Sequence, residues 1–492
     1  MALTALLLWP IIGLAIFAAI GPVRGLIWTT MVGYLFLPEA QSFNLPLLPP
    51  YDKTSAISLS LVLGVLLFRG RLPVGETRLA DPGFRRIMLG LLGAIFLFAL
   101  LTVATNTGAV FTGGGVRQAL TIRDALSMWA ETLILLTPLL LAWRHLNGRD
   151  HAKEICLALI LLGFFYTLLV LFEVRMSPQL NQWVYGYFQH SWIQHLRNGD
   201  FRPIVFLQHG LWVGFLLLSI IIAAFAMSRF DGRRRVIYLA AGGWTVGVLL
   251  LSSNFGATLL AMVFCPAILL TPRVLLIRYA AVISVAFLAY PALKHFSATP
   301  VNKVIELVEP IAPDRASSFS FRVGHEAALL NRAFEKPLFG WGGWARARIF
   351  DDDGRDQSVT DGHWIIYLGE RGWLGYLAFF GFLAVPVLRL AHTAQRKEVP
   401  WPVMGITLVC AANFIEMIPN AALTPVSLLF FGAVAAFVQC DVVSESTETT
   451  GDGPVRKRPT YSRFGGPVPP VSHAIDRAPE AQGRPQTMPY RR

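Results

Sequence analysis

Long apolar runs recur along most of the chain, and they constrain its fold more than any other feature of the sequence. A bilayer core is crossed by helices of about 20 apolar residues, because a helix satisfies its own backbone hydrogen bonds where water is absent. About 13 such runs can be read, at 3–20, 26–37, 56–68, 87–103, 125–143, 155–173, 204–227, 236–251, 255–270, 274–293, 364–388, 403–418 and 423–438. Two of them are short, so we predict an all-α polytopic membrane helical bundle of about 12–13 spans with a large helical outer loop.

Composition agrees with this prediction. Hydrophobic residues make up 54% of the chain and charged residues 15%, whereas about 25% of residues are charged in ordinary soluble proteins. No soluble catalytic domain is therefore expected. The four cysteines are scattered without a CxxC pair, which predicts neither a disulfide framework nor a zinc site. The first run has no Lys or Arg before it, so it is expected to remain as a span rather than to be a cleaved signal peptide.

Basic residues occur in alternate connections between the runs, and this pattern indicates the orientation. The basic connections lie at 69–86, 144–153, 229–235 and 389–397, whereas those at 38–54 and 106–122 carry one basic residue each. Because short cytoplasmic loops are enriched in Lys and Arg, the amino terminus and the long loops are expected to face outward. The net charge of +12 reflects the inner loops and the tail, and no nucleic-acid partner is expected.

These patterns divide the chain into four parts. Residues 1–293 are expected to form an amino-terminal transmembrane bundle, and 294–362 an outer loop with an amphipathic helix. Residues 363–440 are expected to be carboxyl-terminal transmembrane helices. Residues 441–492 are polar, rich in Pro and Arg and without apolar periodicity, which predicts a disordered cytoplasmic tail.

The outer loop ends in an unusual run, SFSFRVGHEAALLNRAFEKPLFGWGGW at 318–344. Apolar positions over 322–334 have helical spacing, which predicts an amphipathic helix on the membrane surface. The glycines within 340–343 allow a tight turn or a close approach of the backbone to a ligand. The Asp cluster at 351–356 lacks the spacing and the closing Glu of a calcium loop, so no metal site is expected there.

The next span opens with the run DGHWIIYLGERGWLGYLAFFGFL at 361–383. His363 stands at its water boundary, with Tyr367 one turn deeper and Glu370 two turns deeper on the same face. An Arg at the head of an amphipathic helix, a PLFGWG turn, a His at the outer end of a span and then ExGxxG resemble the closing signature of the O-antigen ligase and O-antigen polymerase superfamily. The resemblance covers roughly 318–383, and the span count and outward long loops agree with it.

The resemblance implies a metal-independent, inverting membrane glycosyltransferase that needs no cofactor. Members of the superfamily move saccharides from an undecaprenyl-pyrophosphate-linked oligosaccharide at the periplasmic face of the bacterial inner (cytoplasmic) membrane. By resemblance, Arg322 binds the pyrophosphate and His363 positions or deprotonates the acceptor hydroxyl, while Glu370 matches the family's acidic position. Guanidinium groups bind phosphate oxygens bidentately, and an imidazole is easily tuned as a base near neutral pH. Taken alone, an Arg in a long loop is more often a surface charge, and a His at a membrane boundary is more often solvated.

The sequence departs from the family pattern in two places. Where the family has a Ser-Arg pair before a small-residue span, this chain has SSNFGA at 252–257, without an arginine. As a hypothesis, Arg202 supplies the second cation for the pyrophosphate. Trp364 stands where the family more often has Asn. The residues that we expect to line a saccharide groove are Glu370, Tyr367, Glu416, Asn413, His209 and Asn254.

We therefore expect a polymerase that joins lipid-linked saccharide repeat units into an exopolysaccharide or O-antigen-like polymer. A ligase or protein O-oligosaccharyltransferase that transfers a finished glycan is a close alternative, since acceptor choice lies in loop shape. A solute transporter or a lipid-linked saccharide flippase is an alternative of another class, although transporters place charged sites near the bilayer midplane. Membrane lipids are expected partners. The Pro- and Arg-rich tail suits an extended ligand for a polysaccharide chain-length regulator (co-polymerase), with an unselective disordered end as the simpler alternative.

Overall fold

The computed structural model divides into two units, Met1–Val442 and Val443–Arg492. It describes residues 1–44, 49–71, 81–112, 115–146, 150–197, 200–296, 306, 309–310, 313–343, 345–351, 353–358, 361–395, 398–421 and 423–440. The predicted tail at 441–492 lies outside the described residues, so its predicted disorder stays a prediction.

The first unit is built almost entirely from α-helices. In chain order they are α1 Ala2–Ile20, α2 Pro22–Phe36, α3 Lys53–Leu67, α4 Pro82–Ala104, α5 Ile122–His145, α6 His151–Met176, α7 Leu180–Tyr185, α8 Gly210–Phe230, α9 Arg235–Leu251, α10 Phe255–Leu270, α11 Arg273–His295, α12 Pro313–Phe334, α13 His363–Thr393, α14 Trp401–Glu416 and α15 Pro425–Gln439. Short 3-10 turns occur at Arg69–Arg71, Trp192–His195 and Gly232–Arg234. Every predicted apolar run overlaps one of these helices, which confirms the all-α prediction.

Among the described residues, eight helices are long and apolar enough to cross a membrane, and the protein is a multi-pass membrane protein. They are α1, α4, α5, α6, α8, the helix of α9 with the turn before it, α11 and α13. Four shorter apolar helices, α3, α10, α14 and α15, accompany them. A helix of 16 residues such as α14 is about 24 Å long, a little less than the hydrocarbon core of about 30 Å.

The short helices α14 and α15 lie inside the bundle, where α14 packs on α8 and α15 packs on α5. Nearly every residue of α8, α14 and α15 is buried. The outer helices instead leave large apolar side chains exposed, among them Leu7, Leu66, Met262 and Val282. An apolar outer surface of this kind is what a lipid environment requires, since lipid tails are as apolar as these side chains.

The two ends of the bundle differ in chemistry. We call one end the basic end, because the connections rich in Arg begin and finish there. Its ion pairs include Arg24 to Glu154 at 2.8 Å, Arg273 to Glu398 at 2.6 Å and Arg389 to Asp81 at 2.5 Å. We call the opposite end, where the long connections 177–209 and 296–362 begin and finish, the loop end.

Two small hairpins lie in connections of the loop end. β1 Val110–Thr112 pairs antiparallel with β2 Gly115–Arg117, with Val110 opposite Arg117. β3 Leu196–Arg197 pairs antiparallel with β4 Asp200–Phe201, with Leu196 opposite Phe201. The second hairpin leads directly to Arg202.

Two predicted boundaries were wrong. The seventh run was predicted to begin at 204, but α8 begins at Gly210, because 204–208 is held outside the helix by side chains described below. The amphipathic helix is present, but it begins at Pro313, so Arg322 lies in its middle rather than at its head.

Candidate functional site

A buried carboxylate shapes the connection that carries Arg202. Glu173, in the last turns of α6, accepts hydrogen bonds from the backbone N–H groups of Leu180 at 3.0 Å, Ile204 at 2.8 Å and Val205 at 2.7 Å. Val205 has a positive φ of 51°, which is strained for a β-branched residue and persists only where its surroundings impose it. Glu173 supplies that constraint and keeps the chain from entering α8 early.

Arg202 is a buried cation at the loop end, with only 6% of its surface exposed. Its Nε donates to Oδ1 of Asn254 at 3.0 Å, and its Nη2 donates to the same oxygen. Its aliphatic part lies across Gly210, where an added Cβ would come within 2.8 Å of the Arg202 side chain. Gly210 at the start of α8 therefore makes the room that the guanidinium needs.

Asn254 is oriented so that its oxygen faces the guanidinium. Its Nδ2 donates to Oγ of Ser252 at 2.9 Å and to the Ser252 carbonyl at 3.2 Å. Ser253 between them has a positive φ of 54°. Asn254 belongs to the 252–257 stretch, in which the family pattern would have an arginine. The guanidinium of Arg202 thus reaches the start of α10 from another connection.

Glu416, at the end of α14, lies on the other side of this turn. An added Cβ at Gly256 would be 3.9 Å from its Oε1, and the positive charge of Arg202 acts on the Glu416 carboxylate. The Oε2 atom of Glu416 accepts from Nδ2 of Asn420 at 2.8 Å. Asn413, one turn earlier, is buried, and its carbonyl accepts the N–H of Met417 at 2.9 Å.

His363 is attached through its backbone to the turn that follows α14. Its N–H donates to the carbonyl of Met417 at 3.0 Å and to that of Asn420 at 3.2 Å. The side chain of Asn420 therefore contacts the Glu416 carboxylate, and its backbone carbonyl contacts His363, the first residue of α13. A chain of interactions thus leads from Arg202 through Glu416 and Asn420 to the backbone of His363.

The His363 ring packs among aromatic rings. Its centroid is 6.4 Å from that of Tyr367 and 5.8 Å from that of Phe380, and the Tyr367 ring stacks on Phe379 at 4.5 Å. Nδ1 of His363 is buried and has no hydrogen-bond partner among the described residues. The predicted neighbour relation of His363 and Tyr367 is therefore correct, and their packing restricts the imidazole to one orientation.

Glu370 has a different environment. The charges that act on it come from Arg371, Arg348 and Glu131 of α5, whereas His363 is attached to the end of α14. Glu370 lies where the glycine turn docks, and its carbonyl accepts the N–H of Gly342 at 2.9 Å. We therefore interpret Glu370 as a support of that docked segment and not as a wall of the His363 environment.

The glycine turn packs on a break in α13. Gly372 inside this helix has φ 64° and ψ −174°, which is not helical. The freed backbone groups exchange four hydrogen bonds with the turn: Trp341 N–H to Gly369 O, Gly342 N–H to Glu370 O, Trp373 N–H to Pro337 O and Leu374 N–H to Leu338 O, at 2.7–3.2 Å. An added Cβ at Gly340 or at Gly372 would lie 2.5 Å from the backbone of the other segment. The close approach that was predicted for the glycine turn exists at Gly340, but it is to a helix and not to a ligand.

Three cations that the sequence reading missed surround Trp341 beside this turn. The Arg332 guanidinium lies 3.5 Å and the Lys336 ammonium 4.6 Å from the Trp341 ring centroid. Arg346 is almost fully buried, and it donates to the carbonyls of Trp341 and Gly108, each at 3.0 Å. Burial lowers the pKa of Lys336, and the charges of Arg346 and Arg332 lower it further. The signal was the WARAR run after the glycine turn, although nothing in its spacing indicates that Arg346 would bind carbonyls.

The position of Arg322 is described only in part. Its backbone lies in α12, and its side chain lies outside the described part of the structure, so its predicted role stays a prediction. α12 itself is anchored, because Glu326 pairs with Lys294 of α11 at 3.2 Å and the ring of Phe334 stacks on His295 at 4.0 Å. Burial raises the pKa of Glu326, and the opposite charge of Lys294 only partly offsets this.

A polar cavity of about 450 Å³ opens at the loop end, between the connection after α2 and the starts of α8 and α15. It contains the ion pair of Lys53 and Glu39, whose atoms are 2.9 Å apart, and the Lys53 ammonium also donates to the carbonyl of Phe206. Its lining is Tyr34, Glu39, Ala40, Gln41, Ser42, Pro50, Asp52, Lys53, Thr54, Gln208, Trp212, Leu423, Thr424 and Pro425. Acceptor groups and aromatic side chains together are typical of a site for a polar ligand with apolar ring faces.

His209, the remaining predicted site residue, lies at the start of α8. It caps α8, since its Nδ1 accepts the N–H of Leu211 at 3.1 Å, and it follows Gln208 of the cavity lining. Of the predicted residues, Arg202, Asn254 and Glu416 thus form one cluster, with His363 attached through its backbone. No family model matches the sequence, and no curated protein matches it either.

Proposed function

We propose that the protein is a membrane glycosyltransferase of the O-antigen ligase and polymerase type, acting as a polymerase on undecaprenyl-pyrophosphate-linked saccharide repeat units. The observation that carries the proposal is the contact of Arg202 with Asn254. This contact supports the assignment of a cation to the start of α10, where the resembling family has its Ser-Arg pair. A guanidinium binds phosphate oxygens through parallel hydrogen bonds, so Arg202 would hold the diphosphate of a carrier that arrives from the membrane.

The orientation that we propose follows from the charges of the two ends. The basic end faces the cytoplasm, because cytoplasmic loops of membrane proteins carry the excess of Lys and Arg. The loop end then faces the periplasm of a bacterial inner membrane, with the amino terminus periplasmic and the carboxyl terminus cytoplasmic. Lipid-linked saccharides would meet Arg202 and His363 from that side.

His363 would position the acceptor hydroxyl and take its proton. In this step the hydroxyl oxygen bonds to the anomeric carbon of the donor sugar while the bond from that carbon to the pyrophosphate oxygen breaks. The proton passes to the neutral imidazole, and undecaprenyl pyrophosphate leaves with the charge that Arg202 stabilises. Attack from the face opposite the leaving group inverts the anomeric configuration. The packing of Tyr367 and Phe380 around the ring supports this role, because a base must be held in one orientation.

The cavity beside the site is our candidate for the saccharide itself. Glu39 and Asp52 offer acceptors to sugar hydroxyls, and Trp212 and Tyr34 offer aromatic faces to a sugar ring. Gln208 in its lining adjoins His209, and Thr424 adjoins the turn that follows α14. A saccharide bound there would lie next to the turn that carries Asn420.

A matched pair of variants in one helix tests the proposal. His363→Ala changes the first residue of α13, and His392→Ala changes an exposed residue near its other end. Each variant is expressed in a deletion strain of the source organism, with its level in the membrane measured alongside the length of surface polysaccharide and the pool of lipid-linked repeats. We expect His363→Ala to leave single lipid-linked repeats unpolymerised and His392→Ala to restore polymer.

Two other outcomes of this experiment decide against a polymerase. Normal long polymer with His363→Ala would contradict the proposal. Loss of glycan from lipid A core or from protein in the deletion strain, with the chain length of the lipid-linked glycan unchanged, would identify a ligase with the same site.

A further inference from the structure

Three histidines of the long connection before α8 converge at the loop end. His190, His195 and His209 have ring centroids 4.7–5.3 Å apart. Each has a ring nitrogen within 4.8 Å of the corresponding nitrogens of the other two. Among the described residues, these three histidines are the one group of three or more His, Cys, Asp or Glu side chains close enough together to hold a metal ion. Their positions are separated by 5 and 14 residues (195 − 190 and 209 − 195), which matches no compact metal motif, and the sequence alone gave no sign of them.

We propose that these three imidazoles form a binding site for a divalent transition metal, with zinc as the best match. Imidazole is a preferred ligand of zinc, and a site with three histidines leaves a fourth position for water or another ligand. Tetrahedral zinc with bonds of about 2.0–2.1 Å holds its ligand nitrogens about 3.3 Å apart. Side-chain rotations that move each ring nitrogen by about 1 Å would bring the three nitrogens to that distance.

The backbone around the three rings is already held in place. Gln189, next to His190, donates through Nε2 to the carbonyls of Val205 and Leu207 at 2.8 and 3.1 Å. The carbonyl of His195 accepts the N–H of Arg202 at 2.8 Å. Metal sites depend on such fixed surroundings, because a loosely held ligand loses affinity.

The ring surroundings also favour metal binding over simple solvation. His195 is 1% exposed, and its ring packs edge-on against Phe188 at 5.7 Å. Nδ1 of His190 is buried and has no hydrogen-bond partner among the residues that the structure describes. A buried imidazole nitrogen without a donor is a ready ligand, since a metal ion satisfies its lone pair.

His209 couples the site to α8. Its Nδ1 accepts the N–H of Leu211, so the proton of the neutral ring is on Nε2. Coordination through Nε2 requires this proton to move to Nδ1, and the cap hydrogen bond is then released. Metal binding therefore alters the first turn of α8, against which Arg202 lies.

The site does not rest on the proposed glycosyltransferase function, and its test uses zinc binding and not activity. The full-length protein, purified in detergent and then placed in nanodiscs, is stripped with a chelator and titrated with zinc alone. His190→Ala removes one ligand, and His209→Asn removes another while it keeps a residue that caps helices well. His392→Asn, on the exposed surface near the basic end, is the control. Melting curves of each stripped protein show whether a variant has lost its fold.

We expect the wild-type protein and His392→Asn to bind about one zinc per chain. Loss of one ligand should weaken binding by at least about tenfold in His190→Ala and in His209→Asn. Cobalt in the same site should give the visible absorption of a tetrahedral ion with nitrogen ligands, and this absorption should be lost in both variants. Zinc that binds equally to all four proteins would be an adventitious ion only and would overturn the proposal, as would absence of stoichiometric binding by the wild-type protein.

Discussion

The Nε of Arg202 lies 3.0 Å from the side-chain oxygen of Asn254, although 52 residues separate them in the chain. This contact joins the connection before α8 to the start of α10, and it brings a permanent positive charge to a position where the sequence itself carries none. The amide of Asn254 is turned toward the guanidinium by its hydrogen bonds to Ser252. We therefore regard this pair as the centre of the candidate site.

Replacing Gly372 should damage the protein far more than replacing a glycine nearby. Gly372→Ala places a Cβ within 2.5 Å of the Leu338 backbone at a positive φ, which costs about 1–3 kcal/mol in strain before any clash is counted. The four hydrogen bonds between α13 and the glycine turn should weaken with it. Gly343→Ala, where an added Cβ meets nothing within 4 Å, is the control. Thermal melting of both variants in detergent tests this, and equal melting temperatures would mean that the docked turn does not contribute to stability.

Replacing Glu173 should release the connection that carries Arg202. Glu173→Gln exchanges an acceptor oxygen for an NH₂ donor that faces backbone N–H groups, and an unsatisfied buried group costs about 1–3 kcal/mol. Glu154→Gln breaks the exposed ion pair with Arg24 at the basic end, which should cost about 0–1 kcal/mol. Hydrogen exchange should rise at Ile204 and Val205 only in Glu173→Gln. Unchanged protection of these two amides would show that the carboxylate does not hold the connection.

The stability contribution of Glu326 should fall as the pH rises. Burial raises its folded pKa above the ordinary value of 4.5, so the folded protein holds this proton more tightly than the unfolded chain does. Stability from this group is then greatest below pH 4.5 and declines as the pH rises through the raised pKa. We expect the melting temperature of the wild-type protein, measured relative to Glu326→Gln, to decrease over this window. An increase would mean that the pairing with Lys294 outweighs burial and that the direction is wrong.

Much of the bundle could be predicted from the sequence, because hydrophobicity alone decides which segments enter lipid. The apolar runs became helices, and His363 opens its span beside Tyr367 as helical spacing requires. What could not be predicted depends on contacts between distant parts of the chain. Glu173 stops α8 from beginning at 204 through three bonds across the connection, and no local signal reports them.

The candidate site shows the same division. From the sequence, Arg202 was predicted as a second cation and Asn254 and Glu416 as groove-lining residues, and the structure brings the three together. The sequence could not place Glu370 near Arg348 and Glu131, because these charges come from distant parts of the chain. It also could not group His190 with the other two histidines of its cluster, since their approach follows from the folding of a connection without regular spacing.

The most direct measurement of the central claim exchanges the two partners of the pair. Arg202→Asn removes the buried cation, and Arg202→Asn with Asn254→Arg returns it at the position where the resembling family has its arginine, directly after Ser253. Polysaccharide chain length is measured in the deletion strain for both variants and for Arg24→Asn, which alters an exposed pair at the basic end, at equal protein levels in the membrane. We predict that the single variant stops polymerisation, that the exchanged pair restores at least part of it, and that Arg24→Asn has no effect. Long polymer made by Arg202→Asn alone would contradict the account.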